Sequence, residues 1–150
     1  MRVWEAKLQY SLISLGDERK LESAQDVVQY LKGAFDEDPT VEWFIAILLD
    51  RKGHPLARQV ISKGTATGTL VHAREVFKSA IIASSASVII AHNHPSGDPA
   101  PSQADYIVTR NLSKAANILE ISLIDHIIIG YPEADPKGQG YYSFSDAGKL

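Results

Sequence analysis

Cysteine is absent from the 150-residue chain. Disulfides, thiolate nucleophiles and every cysteine-based zinc site are excluded together, so any metal would have to be held by His, Asp or Glu. The same absence suits a reducing cytosol. Basic charge is scarce too: 15 Lys and Arg against 18 Asp and Glu leave a formal net charge of −3. A protein that grips nucleic acid through phosphates ordinarily carries a basic stripe. The densest clusters here, Arg19-Lys20 and Arg51-Lys52, are short pairs in mixed-charge surroundings, so a nucleic-acid partner finds no support in the charge. Long apolar runs are also missing. None approaches the ~20 residues that a membrane helix needs, and Met1-Arg2-Val3-Trp4-Glu5 runs into charge rather than into the apolar stretch of a signal peptide. The expectation is a cytoplasmic protein without a membrane partner.

What is present is an ordinary globular balance, long enough to build a core without a staple. Val3 to Leu15 alternates through Leu8, Tyr10 and Leu12 with a period near two, which predicts an extended segment, and Gly16-Asp17-Glu18 reads as a turn. Ser23 with Asp26 three positions later marks a helix start. Val27, Val28, Tyr30 and Leu31 supply its apolar face, and Gly33 ends it. Val41 to Asp50 is apolar on both faces, as in a central strand, and Pro55 to Ser62 reads as its hairpin partner after the Lys52-Gly53-His54 turn. Gly64 to Thr69 is a small-residue loop without the Gly-Lys-Ser/Thr of a phosphate loop. Val71 to Ala83 predicts a helix with Val71, Val76, Phe77, Ala80 and Ile81 on one stripe. Val88 to Ala91 is a short strand, Ser102 opens a helix to about Asn117, Ile121 to Ile129 is a strand stopped by Gly130, and Tyr141 to Phe144 is an edge strand. This alternation predicts an α/β fold, a sheet with helices on its faces.

One segment carries chemistry. His92 and His94 sit two apart at a strand end, so both imidazoles point the same way. Pro95, Gly97, Pro99 and Pro101 force a stiff loop that returns the chain, and Asp105 falls in the first turn of the next helix. His92, His94 and Asp105 are thus candidate metal ligands. Three protein ligands leave a fourth position for water, the catalytic rather than the structural pattern, and such a set favours zinc, one ion per chain. Ser102 has two readings: a hydroxyl that donates to a developing oxyanion, or a plain N-cap with an acid three residues on, worth about 1 kcal/mol to the helix. The remaining histidines read as structural. His54 falls in an exposed turn, His72 caps or braces a helix start, and His126 follows Asp125 and pairs with it in a buried hydrogen bond. Asn93 points away from the two histidines and braces the loop.

His92-x-His94-Pro95 followed by Ser102-x-x-Asp105 resembles the JAMM motif of the JAB/MPN metalloprotease superfamily. The longer string from His92 to Pro99, with Pro101-Ser102, is similar to the RadC branch in particular. So are Gly64-Thr65, Val71-His72-x-Arg74-Glu75-Val76-Phe77, Asp125-His126-Ile127-Ile128-Ile129-Gly130 and Tyr142-Ser143-Phe144. The likeness runs from about Ser23 to Leu150. It divides the chain into an N-terminal strand or extension over 1–22 and a RadC-like JAB/MPN domain over 23–150. It implies a cytidine-deaminase-like α/β fold, a mixed sheet flanked by helices. It also implies a catalytic glutamate on an early strand. Glu42 matches that position, although from its residues alone it would be an exposed acid following Asp36-Glu37-Asp38. In that role Glu42 takes a proton from the attacking water and passes it to the leaving amine. Glu75 is the rival acid but matches a different part of the pattern.

The implied function is zinc-dependent hydrolysis of an amide bond in a peptide or protein, by a metallopeptidase or isopeptidase. Two alternatives stand beside it: a DNA repair or maintenance accessory protein, and an MPN interaction module without turnover. Full-length RadC-like proteins carry an additional N-terminal region of helix-hairpin-helix character, and the residues before Val41 show no such hairpins, so DNA binding is not expected of this chain. Ala73 replaces a proline common in the family, and the Pro132 to Gly140 loop is somewhat long. Exposed strand edges leave room for a homodimer.

Overall fold

A computed structural model describes residues 1–13, 19–64 and 71–150. Its helices are α1 (Ala24–Tyr30), α2 (Ala73–Ile82) and α3 (Gln103–Leu119). Its strands are β1 (Glu42–Leu49), β2 (Pro55–Gly64), β3 (Ser87–Asn93), β4 (Ser122–Ile129) and β5 (Tyr141–Ser143). The strands form one five-stranded sheet in the order β2-β1-β3-β4-β5. β1 is antiparallel to both β2 and β3, β4 and β5 are antiparallel, and β3 and β4 are parallel. Parallel neighbours need a long crossover, and α3 supplies it. The sheet is therefore mixed and flanked by helices, an α/β fold consistent with a JAB/MPN domain.

The unbroken apolar run in β1 is explained by cover on both faces. Trp43, Ile45, Ile47 and Leu49 join Val27, Leu31 and Phe35 in one core, with Ile89, Ala91 and Ile127. The alternate residues Phe44, Ala46 and Leu48 join Val76, Phe77, Ala80, Leu112 and Ala116 in a second core, with Val88 and Ile90. One face of the sheet thus carries α1 and the other carries α2 and α3. Ile81 leaves the stripe expected of it and is 54% exposed. Val76, Phe77 and Ala80 already fill the buried face of α2, and Ile81 lies a further 100° or so around the helix.

Residues 3–13 form no strand and are mostly exposed. Tyr10 and Leu12, two of the alternating residues, stand out in solvent at 58% and 81% exposure. Alternation makes a strand only where a neighbouring strand accepts its hydrogen bonds, and among the described residues none pairs with this segment. The expected turn at 16–18 and the loop residues 65–69 lie outside the described residues. Among the described residues no helix is long and apolar enough to cross a membrane.

Candidate metal centre

β3 extends two residues beyond the apolar run and so carries His92 and Asn93 within the strand itself. His92 faces the α3 side and is fully buried, stacked on Phe44 of β1 with ring centroids 5.7 Å apart. Asn93 faces the other way. Its Oδ1 accepts from the Trp43 amide at 2.8 Å, and its Nδ2 donates to the Val41 carbonyl at 3.0 Å. It therefore pins the start of β1 rather than the loop.

His94 continues the ladder, since its amide donates to the Ile129 carbonyl at 2.8 Å. The stiff loop then folds back. Gly97 takes φ +85°, its amide donates to the His94 carbonyl at 2.9 Å, and its own carbonyl receives the Tyr131 amide at 2.7 Å. His94 Nδ1 lies 2.8 Å from the Asp98 carbonyl oxygen. A carbonyl can only accept, so Nδ1 carries the hydrogen, and in the neutral ring Nε2 keeps a lone pair. The loop thereby sets the histidine's tautomer.

α3 begins at a capping box. Ser102 Oγ accepts from the Asp105 amide at 3.2 Å, while the Ser102 amide and hydroxyl both donate to Asp105 Oδ2 at 2.7 Å. This leaves Asp105 Oδ1 directed at His92 Nε2, 3.2 Å away. His94 Nε2 lies 3.5 Å from Asp105 Oδ2 and 3.0 Å from His92 Nε2. Among the described residues, these three form the single group of His, Asp and Glu side chains able to hold a metal ion. Two imidazole nitrogens and a carboxylate oxygen suit a divalent transition metal such as zinc.

The electrostatics agree with a cationic occupant. Burial works against the charge on Asp105, but His92, His94 and Ser102 hold its carboxyl well below the usual range. Burial pulls the His94 imidazole down, yet Asp105, the Asp98 carbonyl and Glu42 together raise it above its ordinary value. Glu42 is thus close enough for its charge to act on the site. The β1–β3 register explains why: Phe44 pairs with His92, and continuing it by one alternate step sets Glu42 beside His94 on the same face. Glu75 is elsewhere, on the surface with Lys78 at 3.0 Å and Arg74 at 3.6 Å.

His126 departs from the expected pairing with Asp125. Asp125 instead accepts from the His126 amide at 2.7 Å, from the Ser143 hydroxyl at 2.6 Å and from the Ser145 amide at 2.9 Å. The His126 ring lies on the other face of the strand, where its Nε2 is 2.8 Å from His92 Nδ1 and its Nδ1 is 2.6 Å from Thr109 Oγ1. Adjacent residues of a strand point to opposite faces, a signal that could have separated the two in the sequence. His54 is half-buried and meets Asp50 at 3.1 Å, bracing its turn rather than standing free. Its backbone amide, with its ring and the Lys52 amide, lowers the Asp50 carboxyl to about 2 against the opposing effect of burial. His72 occupies the N-cap position of α2 without a side-chain capping bond.

A sequence profile described as the RadC-like JAB domain matches residues 21–149. Several curated proteins, each named only "UPF0758 protein", are similar. The one from Chlorobaculum parvum is 40% identical over 128 residues, 85% of this chain and 54% of that protein. The one from Methanococcoides burtonii is 48% identical over 126 residues, 83% of this chain and 55% of that protein. The one from Desulforamulus reducens is 53% identical over 89 residues, 59% of this chain and 39% of that protein. The chain spans about half the length of the first two of these relatives.

Proposed function

The chain belongs to the RadC-like JAB domain family, and on that premise we propose that it is a zinc-dependent hydrolase of an amide bond, in a peptide or an isopeptide. The observation that carries this reading is the convergence of His92 Nε2, His94 Nε2 and Asp105 Oδ1 at 3.0 and 3.2 Å at the end of β3. Folding alone gives no reason to gather two imidazoles and a carboxylate there.

His92, His94 and Asp105 would hold the metal. A bound divalent ion supplies Lewis acidity, polarising a carbonyl and making water nucleophilic at neutral pH. Glu42 would act as general base at its carboxylate oxygen, taking the proton of the attacking water and returning it to the leaving nitrogen. The strand register and the effect of its charge on His94 support that role. Ser102 would turn its hydroxyl to the substrate carbonyl oxygen as negative charge develops there. To do so it must surrender its bond to Asp105 Oδ2, while its amide keeps that oxygen in the capping box.

The test is metal analysis of the purified chain, with a screen of peptide and isopeptide substrates. Zinc at one ion per chain, and cleavage abolished by a chelator, is the expected result. A Glu42→Gln chain is expected to bind zinc as before while kcat/KM falls by about 10²-fold or more. Unaltered cleavage by Glu42→Gln, or failure of the unmodified chain to bind added zinc, would overturn the reading.

A further inference from the structure

His126 and Thr109 are outside the ligand trio, yet both are buried against it, at 0% and 2% exposure. Thr109 follows Asp105 by one helical turn on α3. Its Oγ1 lies 2.6 Å from the Asp105 carbonyl oxygen and 2.6 Å from His126 Nδ1. The hydroxyl has one proton, and the carbonyl can only accept, so the proton points there. The hydroxyl oxygen must then accept from His126, whose Nδ1 carries the hydrogen. That leaves His126 Nε2 bare, 2.8 Å from His92 Nδ1. His92 Nδ1 must in turn donate, and in the neutral ring His92 Nε2 is left without a proton. This is the atom that faces His94 Nε2 and Asp105 Oδ1.

We propose that Thr109 and His126 form a buried relay that fixes the tautomer of His92 and so keeps its Nε2 lone pair available to the metal. The relay starts from a helix carbonyl, which cannot reverse its role, and each later bond inherits its direction. His126 is fully buried, and its two ring nitrogens meet Thr109 Oγ1 and His92 Nδ1, so it serves as the link between them. The ring is further held by stacking on Phe144, with centroids 4.8 Å apart and planes 10° or less from parallel, at 9°. Both residues are positioning residues: neither reaches the metal or the substrate. Partners of this kind orient a ligand and typically contribute about 10- to 100-fold in metal affinity.

Part of this inference, the effect on the metal, rests on the proposed zinc site; the tautomer itself does not. The test therefore has two readouts. Nitrogen-15 spectra of the histidine rings in the metal-free chain report which nitrogen is protonated, and zinc titration against a competing chelator reports affinity. Thr109→Val keeps the shape but removes the hydroxyl. His126 Nδ1–H would then face a methyl group, and the ring gains by moving its proton to Nε2, which pushes the His92 proton onto its own Nε2. The expected result is a bare His92 Nε2 in the unmodified chain, a protonated one in Thr109→Val, and zinc affinity weaker by about 10- to 100-fold. Thr109→Ser should restore both.

A second pair of variants gives the same decision by another route. His126→Gln can still offer an oxygen to His92 Nδ1, whereas His126→Phe fills the space without an acceptor and is expected to bind zinc more weakly. A Thr109→Val chain with His92 Nε2 still bare and unchanged zinc affinity would overturn the relay, as would equal affinities in His126→Gln and His126→Phe. If the nitrogen pattern and its reversal are seen but zinc does not bind, the relay stands and the metal reading falls.

Discussion

Asp105 divides its oxygens between two tasks. Oδ2 receives the Ser102 amide and hydroxyl at the start of α3, and Oδ1 faces His92. The cap holds the side chain in the orientation that the proposed ligand role needs. Asp105→Asn removes the charge and one acceptor. It is expected to abolish zinc binding in a titration and to lower the metal-free stability by about 1 kcal/mol through the weakened cap. Since the folded carboxyl is held below its ordinary value, its stabilising contribution is present above about pH 4 and is lost as the pH falls below that. The same residue-scale economy applies to Glu42, which no local pattern distinguishes from the acids before it. The role proposed for it depends on standing across the β1–β3 ladder from His94.

At the scale of elements, the site is the meeting of three parts: the end of β3, the first turns of α3, and the loop between them clamped to the end of β4. Gly130 makes that clamp close. A Cβ there would lie 2.1 Å from the Gly97 carbonyl oxygen and 2.9 Å from Pro99 Cδ, far inside van der Waals contact. Gly130→Ala is expected to cost about 1–3 kcal/mol, seen as a Tm lower by roughly 2–4 °C per kcal/mol in a chain of this size. It should also weaken zinc binding, because the displaced loop carries the Asp98 carbonyl that holds His94. A stability loss without any change in zinc affinity would show the loop and the site to be independent. Periodicity read the strands and helices well wherever burial is two-sided or amphipathic, as in β1 and α3. It failed at residues 3–13, whose alternation has no sheet partner, and at Ile81, whose helix face was already filled. Gly130 was legible only as a strand stop; that it permits a loop to pack on it requires knowing what lies opposite.

For the whole molecule, the buried histidines tie stability to pH. His126 in the folded chain is held well below its ordinary pKa, first by burial, whereas in the unfolded chain it protonates near pH 6.5. The unfolded state then binds the extra proton, so stability is lost as the pH falls below about 6.5. His94 acts in the opposite sense: its pKa is raised, so its contribution is present below its unfolded pKa and is lost as the pH rises through the folded one. From the His126 contribution, the Tm of the metal-free chain is expected to fall from pH 7 to pH 5. The fall should be shallower in His126→Phe, and equal slopes would refute this account. Bound zinc works against acid, because His94 must be unprotonated to hold it. Zinc at about 100 times its Kd is expected to add about 2.7 kcal/mol of stability at neutral pH.

The sequence alone determined the α/β class, the two-sided burial of β1, the helix start at Ser102 and the grouping of His92, His94 and Asp105. Each of these follows from spacing within a short stretch of chain, where strand and helix periods set direction. Glu42 became a candidate in the sequence only through its family resemblance. Tertiary structure decided what depends on residues far apart in the chain: that Glu42 stands beside His94, that Gly130 lies against Gly97, and that His126 turns from Asp125 to His92. The last of these changes the meaning of a residue from a core histidine to the link that presents the lone pair of His92. It does so because a hydrogen bond's direction is inherited from its partner, and that partner, Thr109, is brought in only when α3 packs on the sheet.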